Sequence, residues 1–223
     1  MLAVNGAELI ADPSGALYWP KQNLLAVADL HLEKGTGLAA AGAGLLPPYD
    51  TRTTLQRLGD AVRRLAPAQV ICLGDSFHDA HAEHRLGDTE TALIRALTDG
   101  RDWIWITGNH DPEPPRALGG RAEATHTVDG LTFRHEPLAG PRPGEVAGHL
   151  HPKASIRRRG RRVTRRCFVS NGLRLLLPAF GAYAGGLDVL DPAFQPLFGS
   201  GFHAWLLGRD RVYPVQSGRL VPI

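Results

Sequence analysis

The stretch "VICLGDSFHD", residues 70–79, decides how the rest of the chain is read. An apolar run of strand length stops abruptly at Gly74-Asp75. The same form recurs in "LLAVAD" (24–29), "WIWITGN" (103–109), "LTFRH" (131–135) and "EVAGHLH" (145–151). Short runs rich in β-branched, aromatic or leucine side chains, closed by Gly, Asp or Asn, predict strands buried in a sheet. Between the first two lies "DTRTTLQRLGDAVRRLA" (50–66), where Leu55, Leu58, Ala61, Val62 and Leu65 fall at helical spacing. That predicts a helix, with Asp50 as its N-cap. A second helix is predicted in "DTETALIRALTDG" (88–100), stopped by Gly100. Strand, helix, strand, helix, strand is the order of an α/β domain with a partly parallel sheet. Farther on, "SIRRRGRRVTRRCFVS" (155–170) is expected to fold on itself as a hairpin around Gly160.

At 223 residues, 43% hydrophobic and 21% charged, the chain has the size and composition of a globular protein with a sizeable core. No repeat, low-complexity tail or linker interrupts it, so a single domain over 1–223 is expected. No apolar run reaches the ~20 residues of a membrane helix, and "MLAVNGAELIADPSG" lacks the basic and apolar regions of a secretory signal. The two cysteines, Cys72 and Cys167, make no disulfide framework. Cys72, inside an apolar run, reads as a small buried hydrophobe. These features point to a cytoplasmic protein without a membrane partner, and leave homo-oligomerisation open.

Charge is distributed unevenly. Eight of the 25 Lys and Arg lie between Lys153 and Arg166; the remaining 17 face 22 acidic residues, which leaves the rest of the chain net −5. No Asp or Glu occurs from Val146 to Leu187. A charge run is by default a solvated face. One this dense, in an otherwise acidic chain, also suits a polyanion.

Ligand sites in open α/β sheets lie beyond the carboxyl ends of strands, and each of the five strand ends carries a metal-capable side chain. They are Asp29 and His31, then Asp75, then Asn109 with His110 and Asp111, then His135, then His149 and His151. Singly, each has a bland reading: a helix cap, a turn, a rim histidine, or two positions on one face of a strand. All five together, in order, point to a site. Two divalent ions about 3.5–4 Å apart clamp the attacking and leaving oxygens of a phosphoryl displacement. Imidazole, carboxylate and amide ligands without thiolate suit Mn, Fe or Zn, and argue against a purely structural zinc.

In this order the motifs, D-x-H, GD, GNHD, H and GHxH, resemble the calcineurin-like metallophosphoesterase signature, over residues 29–151. The resemblance implies an α/β fold of the four-layer αββα kind, two mixed β-sheets flanked by helices. It implies one metal held by Asp29, His31, Asp75 and His151, and another held by Asp75, Asn109, His135 and His149, with Asp75 bridging. A hydroxide, formed because the ions lower the pKa of water, then attacks phosphorus in line. His110 would sit beside the site without ligating, stabilising the transition state or protonating the leaving oxygen.

Which phosphoester is cut depends on local features, since the fold hosts many substrates. "GDSFHD" has His78 where protein phosphatases of this class carry an Asp, and resembles the strand-break repair nucleases, in which that histidine supports the catalytic one. His78 is thus a candidate partner of His110; the competing reading places it with His81 and His84 in a polar loop. The basic hairpin would leave directly from His149 and His151. Arg157, Arg158, Arg161 and Arg162 would stand where guanidinium forks can hold DNA phosphates. Over most of the chain, "ADLHLEKG", "LPPYDT", "CLGDSFHD", "TGNHD" and "LPAFGAYAGGLDVL" resemble the bacterial ligase-associated DNA damage response endonucleases. That implies a manganese-favouring phosphodiesterase that nicks DNA, single-stranded by preference, in DNA repair. It also implies functional association with an ATP-dependent DNA ligase, a helicase and a second nuclease. The alternatives are a small-molecule or nucleotide phosphodiesterase and a non-catalytic scaffold; the full set of ligands speaks against the scaffold. Glu33 and Lys34 either touch substrate or are solvated. Phe180 and Tyr183 either pack or offer a face for a base. Residues 39–48 read as a loop over the rim.

Overall fold

A computed structural model describes residues 1–44, 46–47, 49–113, 116–199 and 201–223. Two residues of the expected rim loop, Leu45 and Pro48, lie outside them. The described residues form two sheets. The first has seven strands in the order β1 (Leu2–Val4), β2 (Ala7–Ala11), β3 (Leu17–Trp19), β4 (Leu24–Val27), β5 (Gln69–Leu73), β6 (Asp102–Ile106) and β7 (Arg121–Glu123). β1 to β4 form an antiparallel meander, and β4 to β7 run parallel. Helices α1 (Lys34–Ala40) and α2 (Asp50–Leu65) join β4 to β5, and α3 (Asp88–Thr98) joins β5 to β6.

The second sheet is built from β8 (Thr125–Val128), β9 (Leu131–Arg134), β10 (Glu145–Ala147), β12 (Arg161–Ser170), β13 (Leu175–Leu176), β14 (His203–Leu207) and β15 (Val212–Gln216), in the order β15-β14-β12-β13-β10-β9-β8. β11 (Lys153–Arg158) pairs with β12 alone among the named strands. A single turn, α4 (Gln195–Phe198), lies on its outer side.

Strand alternation assigns each residue to a layer. Leu24 and Ala26 of β4, Ile71 and Leu73 of β5, and Ile104 and Ile106 of β6 face the second sheet, where they meet Phe133, Val146, Phe168 and Leu175. The intervening Leu25, Val27, Val70, Cys72, Trp103 and Trp105 face outward and are covered by Leu55, Leu58, Ala61 and Val62 of α2 and Ile94 of α3. On the far side, Ala147, Cys167, Val169 and Leu176 are covered by Phe194, Leu197 and Phe198. Helix, sheet, sheet, helix is the expected four-layer αββα sandwich. The apolar runs carried no polar face because both faces of these strands are buried.

One local expectation needs correction. Asp50 does not cap α2: Tyr49 holds the N-cap position, and Asp50 is the first helical residue. Its carboxylate instead accepts the Gly35 N–H at 3.0 Å and ties α1 to α2. A Cβ at Gly35 would stand 2.9 Å from that carboxylate, so only glycine permits the approach.

Candidate metal centre

The parallel strands stop level with one another, and the chain turns sharply as it leaves them. Five of the seven expected ligands sit in the left-handed backbone region: Asp29 (φ 54°), His31 (43°), Asp75 (46°), His149 (69°) and His151 (48°). For a residue with a Cβ this costs on the order of 1 kcal/mol each. The surrounding hydrogen bonds hold it. Asp29 N–H donates to Gly74 O, His31 N–H to Asp75 O and Gly148 N–H to His135 O. The Asp29 carboxylate accepts the His149 N–H at 3.1 Å. The Asp75 carboxylate accepts the His110 N–H at 3.0 Å. Glycines permit these approaches: a Cβ on Gly148 would stand 2.6 Å from Asp29 Oδ2, and one on Gly108 would fall onto the Asp75 amide and carboxylate.

All seven side chains converge, in two groups. Asp29, His31 and His151 offer one ligand atom each within 4.8 Å of one another, and so do Asp75, His135 and His149. In the first group, His31 Nε2 and His151 Nε2 are 3.3 Å apart, and His151 Nε2 is 3.3 Å from Asp29 Oδ1. In the second, His135 Nε2 lies 2.9 Å from Asn109 Oδ1, 3.1 Å from His149 Nδ1 and 3.4 Å from Asp75 Oδ2. Asn109 therefore joins the second group. Burial, then the His151 charge, holds His31 below its ordinary pKa; burial, then His135, does the same for His149. Burial works to lower His135, but hydrogen bonding to Asp75 and the charges of Asp29 and Asp75 together outweigh it and raise His135 to about 9. Carboxylate, amide and imidazole donors crowded this closely, with His31 and His149 kept neutral by burial and His135 drawn positive by the same carboxylates, fit a cation at the centre of each group. The donors are nitrogen and oxygen only, as divalent first-row ions accept; both cysteines are buried and free.

His110 stands at the mouth, its side chain 41% exposed and its Nε2 3.9 Å from Asp75 Oδ2. Its Nδ1 bonds the His78 backbone carbonyl at 2.9 Å, and the two rings stack with centroids 5.4 Å apart. The contact between them thus runs through the His78 carbonyl and ring face. Burial, then the Lys34 charge, lowers the His78 pKa.

Other residues take places that spacing did not disclose. Asp111 accepts the Ser76 and Phe77 N–H groups and fixes the turn that carries Asp75. Burial, reinforced by the Asp75 charge and opposed by those donors, pushes it up to about 7. Glu33 is neither solvated nor free for substrate: it is buried and accepts from the hydroxyls of Thr51 and Thr36. Phe180 is fully buried and offers no face to a base. Tyr183 is half-buried and donates to Pro47 O at 2.9 Å.

The basic hairpin forms as expected. Arg159 (φ 49°) and Gly160 (φ 74°) make a two-residue turn of the I′ kind, which matches strand twist. Arg157 pairs with Arg162, and Arg158 with Arg161. The first pair shares a face with Ser155 and Thr164, the second with Ile156 and Val163. All four are exposed, and none has a carboxylate partner among the described residues.

Over residues 23–178 the chain matches the calcineurin-like phosphoesterase family, and it belongs to that family. It is a hydrolase of phosphoester bonds, of a family that uses two divalent metals. Among solved structures it is similar to the Pseudomonas putida nuclease MPE, at 30% identity and a TM-score of 0.70, covering 96% of this chain and 98% of that one. The E. coli phosphoesterase Yfce is 14% identical, with 88% of this chain and 98% of that one covered and a TM-score of 0.44. No curated protein matches the chain. No helix among the described residues is long and apolar enough to cross a membrane.

Proposed function

We propose that the protein is a two-metal DNA phosphodiesterase, an endonuclease acting on single-stranded DNA. The observation that carries this is the hairpin. It begins two residues after the ligand His151, and it sets arginine directly opposite arginine twice. Like charges opposed across strands destabilise a hairpin, and a polyanion laid along it relieves the repulsion. At about 3.4 Å per residue, Arg157 stands roughly 20 Å along the arm from His151. The arginines would therefore hold phosphates several nucleotides from the scissile one.

Asp29, His31, Asp75 and His151 would hold one ion and Asp75, Asn109, His135 and His149 the other, with Asp75 shared. A divalent pair held there, manganese by preference, would lower the pKa of water and neutralise phosphoryl charge. The left-handed turns fix the directions in which Asp29, His31, Asp75, His149 and His151 leave the backbone. His110, with Nδ1 committed to His78 O, keeps Nε2 to carry a proton to the leaving oxygen. The similarity to nuclease MPE supports the same substrate class. Work in DNA repair in the cytoplasm, beside an ATP-dependent ligase, a helicase and a second nuclease, extends this reading.

The test is cleavage of closed circular single-stranded DNA with manganese, with Asp75→Ala as control. Linear product from the wild type alone is expected. An intact circle, alongside turnover of a small phosphodiester, would move the substrate to a nucleotide or another small molecule.

A further inference from the structure

Two arginines outside the ligand set converge on one short segment behind Asp29. Arg57, from the middle of α2, donates from Nη2 to Phe180 O, and its guanidinium lies 4.5 Å from the centre of the Phe180 ring. Arg166, on β12 of the second sheet, donates from Nη1 to Ala179 O at 2.8 Å and to Gly181 O at 3.4 Å. Three consecutive carbonyls are thereby held by two guanidiniums from opposite layers of the sandwich. The amides of the same segment point the other way, into the metal loop. Phe180 N–H donates to Ala28 O at 2.7 Å, and Gly181 N–H to Asp29 O at 3.0 Å. A Cβ at Gly181 would collide with Leu30 O, so the two backbones touch.

We propose that Arg57 and Arg166 are positioning residues: they clasp residues 179–181 from behind so that this segment holds Asp29 in its left-handed conformation, carboxylate toward the ion. This rests on Asp29 being a ligand. Asp29 has φ 54° and its carbonyl reaches Gly181. A segment free to shift would let that carbonyl, and with it the side chain, relax toward an ordinary strand.

A phosphate subsite is the competing use of two arginines beside a phosphoesterase centre. The geometry disfavours it. Arg57 Nε is buried with no partner, and the terminal nitrogens just named are spent on carbonyls. Neither arginine forms an ion pair among the described residues. Burial, then the nearby Arg166, brings Arg57 down to about 10, which still leaves it charged at neutral pH. Charge-assisted bonds to carbonyls suit a clasp, and Arg166 Nη1 alone reaches the carbonyls of both Ala179 and Gly181.

The test is calorimetric titration of the metal-stripped full-length protein with manganese, comparing wild type, Asp29→Asn, Arg57→Gln and Arg166→Gln. The wild type should take two equivalents, and Asp29→Asn one. Each arginine variant should keep one equivalent at wild-type affinity and lose about tenfold or more at the other, as outer-shell supports of ligands do. A variant that merely loosens the fold would weaken both equivalents together, and that result overturns the clasp. So does wild-type binding at both sites with a raised KM for DNA, which would make the arginines a phosphate subsite. If Asp29→Asn also binds two equivalents normally, the ligand reading fails and the clasp with it. Should a glutamine variant not fold, Arg57→Met and Arg166→Met keep much of the length of the side chain without a donor to the carbonyls; wild-type affinity at both sites in these would equally overturn the proposal.

Discussion

The metal cluster and the arginine hairpin meet at His151 and are built on opposite terms. In the cluster, Asp29, His31, Asp75 and His135 are buried, and hydrogen bonds from distant segments hold the ligand loops. In the hairpin, Arg157, Arg158, Arg161 and Arg162 are exposed and lie against each other's like charge. The first region places few atoms accurately; the second offers a broad field. The difference teaches that a substitution in the cluster acts through position, and one in the hairpin through charge and salt.

The strongest way to break that contrast is Asp75→Ala. It should take hydrolysis of any phosphodiester to the level of a protein-free control and remove bound metal, measured by turnover beside metal analysis. Retained activity would mean that the cluster does not depend on the carboxylate proposed to bridge its two groups. His110→Ala comes next. It should cost about 10²- to 10⁴-fold in turnover with both ions still bound; lost metal would place it among the ligands. Gly148→Ala sharpens the point about position, since it changes no donor. Its Cβ would press on Asp29 Oδ2, and metal affinity should fall about 10- to 100-fold. The smallest effect on the chemistry belongs to the fourfold Ala replacement of Arg157, Arg158, Arg161 and Arg162. DNA affinity should drop and its log–log dependence on salt should flatten by about 0.7 for each phosphate that the arginines no longer neutralise. A binding isotherm series in salt reads this directly, and an unchanged slope would return the hairpin to a plain solvated surface. Removing the ions with a chelator tests the cluster as a whole. A ligand present at 100 times its Kd adds about 2.7 kcal/mol, so the melting temperature should fall by several degrees and recover when manganese is restored.

The same contrast governs what could be read from sequence. Four of the five strand ends are readable because both faces of β4, β5, β6 and β10 are buried, so apolar runs break visibly where the chain turns to the site; β9, before His135, alternates buried and half-buried residues. The hairpin was readable from Gly160 and the density of arginine. The β1–β3 meander and the β14–β15 hairpin were not, because their strands are short or half-exposed and carry no strong alternation. An Asp before an apolar period usually caps, so spacing alone points Asp50 to the N-cap; its partner, Gly35, lies in a neighbouring helix that spacing cannot locate. Of the two readings of Phe180 the packed one holds, with the Arg57 guanidinium over its ring. Asp111, Arg57 and Arg166 bond backbone atoms of other segments, from 13 positions away for Arg166 to 123 for Arg57, and no local pattern signals such a contact.

The span between the two halves of the cluster also sets a timetable. His149 and His151 come 120 positions after Asp29 and His31. At about 5–20 residues per second of synthesis, the first pair waits roughly 6 to 24 s for the second. In that interval the β4–β6 sheet has its helices, while Ile71, Leu73, Ile104 and Ile106 still lack the second sheet that covers them. The nascent chain is then at its most adhesive and cannot yet complete either group of donors. Neither group of donors is complete before His149 has been made, nor the first group before His151, and the strands β11 to β15 that finish the second sheet come later still.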